Sequence, residues 1–234
     1  MNLLKKIIRC AFNKCGLDIK TKDRWDSYSW LANENIKTIL DIGANTGQFA
    51  SRIQKILPDV KIYSFEPLAS CLEELKQNMK DVQNFQCFNY ALGNENGKHI
   101  IYHNEFSDSS SLLPMEQIHK DAFPFAKNAK EEMIEIRRLD DIADSLKLTD
   151  NLLIKIDVQG FEDKVIAGGQ ITIRKAKILI VETCFEPLYE GQLLFDEIYS
   201  LIKEMGFTYK GAEESFRNPL NGKILYCDSV FVKS

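Results

Sequence analysis

Thr38-Ile39-Leu40-Asp41-Ile42-Gly43-Ala44-Asn45-Thr46-Gly47-Gln48 is the stretch from which the rest of the chain can be read. Thr38 to Asp41 has the β-branched and apolar character of the end of a buried strand. Two glycines then bracket a tight turn, and an amphipathic helix follows at once. It carries Phe49, Ile53, Ile56 and Leu57 on one face, and Pro58 stops it. Strand, glycine turn and helix in that order gather unpaired backbone N–H groups and the positive end of a helix dipole, where an anionic group can bind. Gly43 and Gly47 lack the Cβ atoms that would hold a ligand away from the backbone. An ordinary loop of a parallel sheet uses the same geometry, so the turn alone leaves both readings open.

The next element narrows them. Lys61-Ile62-Tyr63-Ser64-Phe65-Glu66-Pro67 reads as a second strand ending in a carboxylate, roughly 20 positions after Gly43, the spacing at which doubly wound nucleotide sites place a ribose-binding acid. Further on, Phe85–Leu92 reads as a third strand, Asn94–Gly97 as a turn, and Lys98–His103 as one arm of a hairpin. Residues 104–130 are polar and irregular, with Ser107-Asp108-Ser109-Ser110-Ser111 at their start; a long insertion in a compact domain is a lid, a binding loop or a disordered excursion. Glu132–Arg138 reads as a short strand and Leu139–Leu146 as a helix. Leu152–Val158 is apolar except for Lys155, as a strand buried on both faces requires, and a helix follows Glu162. Lys177–Glu182 is another apolar strand ending in an acid. Leu193–Met205 is an amphipathic helix, and Phe207–Gly211 and Ile224–Val232 are two final strands. The order predicts an open α/β sheet in which Asp41, Glu66, Asp157 and Glu182 share the edge where ligands bind.

Composition sets the bounds. A 234-residue chain that is 44% hydrophobic suits one large α/β domain, expected over residues 36–234 behind a helical N-terminal extension over residues 1–35. That extension is divided by Gly16 and carries Trp25, Tyr28, Trp30 and Leu31 as a docking face. A net charge of −4 predicts no nucleic-acid partner. No apolar run approaches the roughly 20 residues of a membrane span, and the start lacks the uninterrupted core of a signal peptide. Within residues 1–22, Lys5, Lys6, Arg9, Lys14, Lys20 and Lys22 face only Asp18, so this segment is read either as a membrane-surface helix or as a packing helix with a solvated basic edge. The cysteines show no C-x-x-C and no cluster, which predicts reduced thiols, no structural metal and a cytoplasmic location, with the basic start available to the inner membrane surface.

The turn lacks the middle glycine that lets a backbone approach a pyrophosphate, since Asn45 stands there. That argues against a nicotinamide-dependent oxidoreductase and for a ligand with a smaller anion, such as an amino-acid carboxylate. S-adenosylmethionine combines such a group with a ribose for Glu66 and an adenine for the loop after the third strand. A non-catalytic adaptor with the same fold is the other alternative.

At these residues the chain resembles a known family. Asp41-Ile42-Gly43-Ala44-Asn45-Thr46-Gly47, Ser64-Phe65-Glu66-Pro67, Asn89-Tyr90-Ala91-Leu92-Gly93, the Ser109–Ser111 cluster and Ile154-Lys155-Ile156-Asp157-Val158-Gln159-Gly160-Phe161-Glu162 are similar, in order, to the FkbM family of S-adenosylmethionine-dependent methyltransferases. Many members have Glu where this chain has Gln159, and residues 1–35 carry no family motif. The resemblance implies a Rossmann-like, seven-stranded class I methyltransferase sheet with helices on both faces and an antiparallel strand near its end. It also implies O-methylation of a sugar, surface glycan or natural-product hydroxyl. Carried over by position, Gly43, Ala44, Asn45 and Gly47 cradle the methionine end, with Asp41, Gln48 and Pro67 on the same rim. Glu66 holds the ribose, and Asn89 and Ala91 lie near the base.

A hydroxyl is a weak nucleophile and gains from a positioned base. Asp157, on the cofactor edge, is the first candidate, with a structural cap of the next turn as its alternative. Lys155 shares its strand face and is read as a second catalytic group or as a buried ion-pair partner. Ser110, Ser111, Gln159 and Glu182 are the expected acceptor contacts.

Overall fold

The computed structural model describes residues 27–104, 110–122 and 129–234. The basic start and most of the expected N-terminal helix lie outside the described residues. The strands in chain order are β1 (Thr38–Ile42), β2 (Lys61–Phe65), β3 (Phe85–Phe88), β4 (Ala91–Leu92), β5 (Gly97–Asn104), β6 (Ala129–Arg137), β7 (Leu152–Ile156), β8 (Ile178–Cys184), β9 (Phe207–Arg217) and β10 (Ile224–Lys233). Among the described residues, seven of them form one sheet in the order β3-β2-β1-β7-β8-β10-β9. The neighbours from β3 to β8 pair in parallel, whereas β10 runs antiparallel to both β8 and β9. This is the seven-stranded sheet with one reversed strand that the resemblance implies.

The sheet is covered on both faces because its central strands are apolar on both. Every residue of β1, β7 and β8 is buried. Alternate side chains divide the core: Leu40, Ile42, Ile154 and Ile156 pack with Val165, Ile166, Ile198 and Ile202 of the helices Glu162–Gly168 and Phe195–Glu204. Ile39, Leu153 and Ile180 pack on the other face with Phe49, Ile53, Leu72 and Leu75 of the helices Gln48–Ile56 and Ala69–Asn78. Tyr28 and Leu31 join this second cluster around the short 3-10 turn Ser29–Asn33, so the end of the expected extension is docked into the core. Winding reverses between β1 and β7, and a crevice opens where these strands finish.

Several elements differ from the sequence reading. Phe85–Leu92 is not one strand: β3 stays in the main sheet, and after Asn89-Tyr90 the chain enters a second sheet of order β4-β6-β5. The helix expected from Pro67 opens at Ala69, because Leu68 is extended and gives its amide to the Glu66 carboxylate. Leu139–Leu146 breaks into the helix Leu139–Ile142 and the 3-10 turn Ala143–Ser145. The strand expected over Phe207–Gly211 continues to Arg217. The charged Lys210–Glu214 run hides this extension, since much of β9 lies on the exposed edge. Within the insertion, the helix Gln117–Ala122 forms, and isolated bridges tie Ser111 to Tyr102 and Met115 to Tyr189.

Candidate active site

The turn after β1 is set by tertiary contact as much as by any ligand. Gly43 (φ 83°), Asn45 (φ 47°) and Gly47 (φ 92°) all adopt the left-handed region. A Cβ on Gly43 would stand 1.8 Å from the carbonyl oxygen of Asp157, and one on Gly47 would stand 2.6 Å from Leu75 Cδ1. Gly43 is therefore demanded by the protein's own backbone packing, and Gly47 by its left-handed φ. The row of unpaired amides expected here is filled in part. Gly43 and Ala44 donate to the Phe65 carbonyl, Gly47 donates to Ala44, and Asn45 N donates to Glu66 Oε2 at 2.9 Å. Buried donors find acceptors within the fold, which leaves the helix dipole and the Asn45 and Gln48 side chains to meet an anion.

Glu66 is 5% exposed, and its other oxygen accepts Leu68 N at 2.8 Å. Burial pushes its carboxyl up to about 7, against the pull of those two backbone donors. Asn89 does not reach the cavity. Its Nδ2 donates to the carbonyls of Glu66 (3.1 Å) and Pro67 (2.8 Å), so it steadies the loop carrying the carboxylate from behind. Beside Glu66 lies an apolar slot of Leu68, Cys71, Ala91, Ile101 and Leu112.

Across the crevice, the site is made of side chains from distant strands. Asp41 stands opposite Lys155 in the sheet register, and Glu182 opposite Asp228. Lys155 Nζ, almost wholly buried, donates to Asp157 Oδ2 at 2.9 Å and Asp228 Oδ1 at 3.3 Å. Burial disfavours its charge, but Asp157 and Asp228 outweigh that and hold its pKa well above the ordinary lysine value, so it is a cation and not a base. Tyr28 donates its hydroxyl to Asp228 Oδ2, closing the network from the first described residues. Burial pushes Asp41 up to about 6, with Lys155 and the Ser64 hydroxyl opposing.

Gln159 joins two carboxylates. Its Nε2 donates to Asp157 Oδ1 and Glu182 Oε1, each at 3.0 Å, while its Oε1 accepts the Tyr189 hydroxyl at 2.7 Å. Burial and the nearby Asp157, Glu162 and Asp228 push the Glu182 carboxyl well above the usual carboxylate range. Gln159 reaches this position through a left-handed backbone (φ 56°). The turn is held by Glu162, whose Oε1 accepts the amides of Val158 (3.0 Å) and Gly160 (3.2 Å). Ser111 donates to the Gln159 carbonyl and accepts Leu113 N, so it ties the insertion to the site. Among the described residues, no group of three His, Cys, Asp or Glu is placed to hold a metal.

These walls enclose one cavity of about 550 Å³, bordered by every expected site residue except Gly47 and Asn89. A family profile described as "Methyltransferase FkbM domain" matches residues 41–209. The chain belongs to the FkbM family. It is 32% identical over 171 residues to the 2-O-methyltransferase NoeI of Sinorhizobium fredii, covering 70% of each chain. It is 26% identical over 198 residues to the methyltransferase sdnD of Sordaria araneosa, covering 72% of this chain and 73% of that one. In backbone it is similar to Haemophilus influenzae TehB (TM-score 0.49, 9% identity, 91% of this chain and 64% of that chain). Aeropyrum pernix fibrillarin, solved with natively bound S-adenosylmethionine, gives a TM-score of 0.47 at 13% identity over 82% of this chain and 66% of that chain.

This FkbM protein is a methyltransferase whose cofactor is S-adenosylmethionine, and its cavity fits that molecule. Apolar Leu68, Cys71, Ala91 and Ile101, the Glu66 residue and the N-terminal turn of the helix Gln48–Ile56 all border that cavity. Sequence reasoning missed Tyr28, Arg52, Asp228 and the hairpin residues Glu214, Ser215, Phe216 and Tyr226, all of which border the cavity. Asp228 left a signal, as the lone acid in the run Ile224–Val232; the others left none. Among the described residues no helix is long and apolar enough to cross a membrane.

Proposed function

We propose that this protein methylates a hydroxyl oxygen of a glycan or natural product, and that Asp157 receives the hydroxyl proton. The carrying observation is that the Asp157 carboxylate opens onto the cavity while Lys155 and Gln159 each hold one of its oxygens. The bound cofactor supplies a methyl group already activated on a sulfonium sulfur, so the protein's task is alignment and the handling of one proton. In this reading Glu66 takes the ribose hydroxyls, the slot between Leu68 and Ile101 the base, and Asn45 with Gln48 the methionine end, which is supported by all of them bordering the cavity. Lys155 keeps Asp157 oriented and compensates its charge before the proton arrives. Glu182 is tied to it through Gln159, whose Nε2 donates to both carboxyls. The name of NoeI, a 2-O-methyltransferase, supports oxygen as the atom methylated.

A labelled-methyl transfer screen against saccharides, natural-product extracts and nucleic acids tests this reading. Asp157→Asn should keep the heat of cofactor binding and lose roughly 10²- to 10⁴-fold in turnover. Full turnover in that variant would remove Asp157 as the base, and absence of transfer to any acceptor by the wild type would favour the adaptor reading. The same proposal places the protein in the cytoplasm, with residues 1–35 as an appended segment whose basic residues 1–22 touch anionic membrane surfaces weakly. Liposome flotation with and without residues 1–22 checks that contact.

A further inference from the structure

The β9–β10 hairpin forms the cavity wall that neither the cofactor residues nor Asp157 accounts for. Its ladder is irregular: Cys227 pairs with Ser215 and Ser229 with Ala212, so Asp228 alone faces both Glu213 and Glu214. The extra residue in β9 bends the strand and breaks its alternation. Consecutive residues Glu214, Ser215 and Phe216, on the side of the bulge toward the hairpin turn, all border the cavity. Phe216 stacks on Tyr226 with ring centroids 5.4 Å apart and planes within 6°, yet remains 43% exposed. Its ring is thus left at the cavity mouth with one side against Tyr226. Beside it Glu214 pairs with Arg52, whose second nitrogen donates to Ser27 Oγ, and the Glu214 side chain is still 54% exposed.

We infer that this hairpin is the acceptor subsite and that it takes a pyranose ring. This rests on the proposed hydroxyl methylation and names its substrate class. A pyranose presents an apolar face of slightly positive C–H bonds, which suits the negative face of an aromatic ring. Its edge presents hydroxyls that donate to a carboxylate and accept from a guanidinium, the pair that Glu214 and Arg52 supply. Phosphate-rich acceptors are disfavoured, because Glu214 shares this wall with Asp157 and Asp228. A ring seated on Phe216 lies in the same cavity as Asp157, so one of its hydroxyls is the group offered to the base.

The test uses the full chain loaded with S-adenosylhomocysteine on an array of immobilised pyranosides. Wild-type protein is expected to be retained on at least one sugar. Phe216→Ala should weaken that retention tenfold or more with cofactor heat unchanged, and Phe216→Tyr should restore it. Glu214→Gln, which leaves the aromatic pair intact, should weaken retention several-fold and serves if Phe216→Ala does not fold. No retention by the wild type, or equal retention by the variants, overturns the subsite. Pyranoside retention without methyl transfer would defeat the catalytic reading and leave the subsite standing. Transfer to a non-carbohydrate hydroxyl, undiminished by Phe216→Ala, would do the reverse.

Discussion

The rim after β1 and β2 and the rim after β7 and β8, continued by the first half of the antiparallel β10, border one cavity, but they are made of different material. The first is built from backbone: amides of Gly43, Ala44, Asn45 and Leu68 find their acceptors within two short loops, and Glu66 is held by two of them. The second is built from side chains brought from positions 28, 155, 157, 159, 182, 189 and 228, with one lysine among four carboxyls counting Glu162. Backbone hydrogen bonds fix a shape at little electrostatic cost, as a wall for one fixed ligand requires. A buried network of charges holds its geometry only while every partner is present, and it puts proton-accepting groups where the acceptor must lose a proton.

Three experiments sharpen that contrast. Gly43→Ala should have the largest effect, since its Cβ would strike the Asp157 backbone and φ is 83°. A loss of more than about 4 kcal/mol in urea denaturation is expected; a tolerated substitution would show that the two rims are not locked together at this point. Lys155→Met should cost about 3 kcal/mol, because Asp157 and Asp228 would be left without their cation. Adding Asp228→Asn should recover part of that loss, and strict additivity of the two changes would deny that they form one network.

The third is the pH dependence of stability without cofactor. Asp41, Glu66 and Glu162 have folded-state values raised to about 6, 7 and 7, so between their ordinary values and pH 7 the folded chain binds more protons than the unfolded one. Stability is therefore greatest at the acid end of that window and falls as pH rises through it. His119, lowered to about 4 by burial, pulls the opposite way from its ordinary value downward but is one group against three. Unfolding free energy should decline from pH 5 to 7, by about 2 kcal/mol from Glu66 alone, and Glu66→Gln should flatten the slope. A free energy that rises over this range would mean that the backbone donors, and not burial, govern these carboxyls.

Much of the first rim was legible in the chain because its parts are local: Gly43, Asn45 and Glu66 lie within one βαβ unit, and strand, turn and helix periods mark them. Even there the sequence misattributed a cause. The glycines suit a ligand's approach, but Gly43 is required by Asp157, a residue more than a hundred positions away. Asn89 was expected at the base and instead braces the Glu66 loop. Of the second rim, Lys155, Asp157, Gln159 and Glu182 could be named from two strands and the turn after one of them, but not the partners that hold them together.

From its sequence this chain determines a parallel sheet with a nucleoside-binding edge, because apolar runs of period two and 3.6 admit few other burials and the glycine turn recurs with its acid at a fixed spacing. The tertiary structure alone decided that Asp228 and Tyr28 support Lys155, that Gln159 links two carboxylates, and that a bulged hairpin turns Glu214, Ser215 and Phe216 toward one cavity. Those contacts depend on sheet order and register across long stretches of chain, and no local period encodes either.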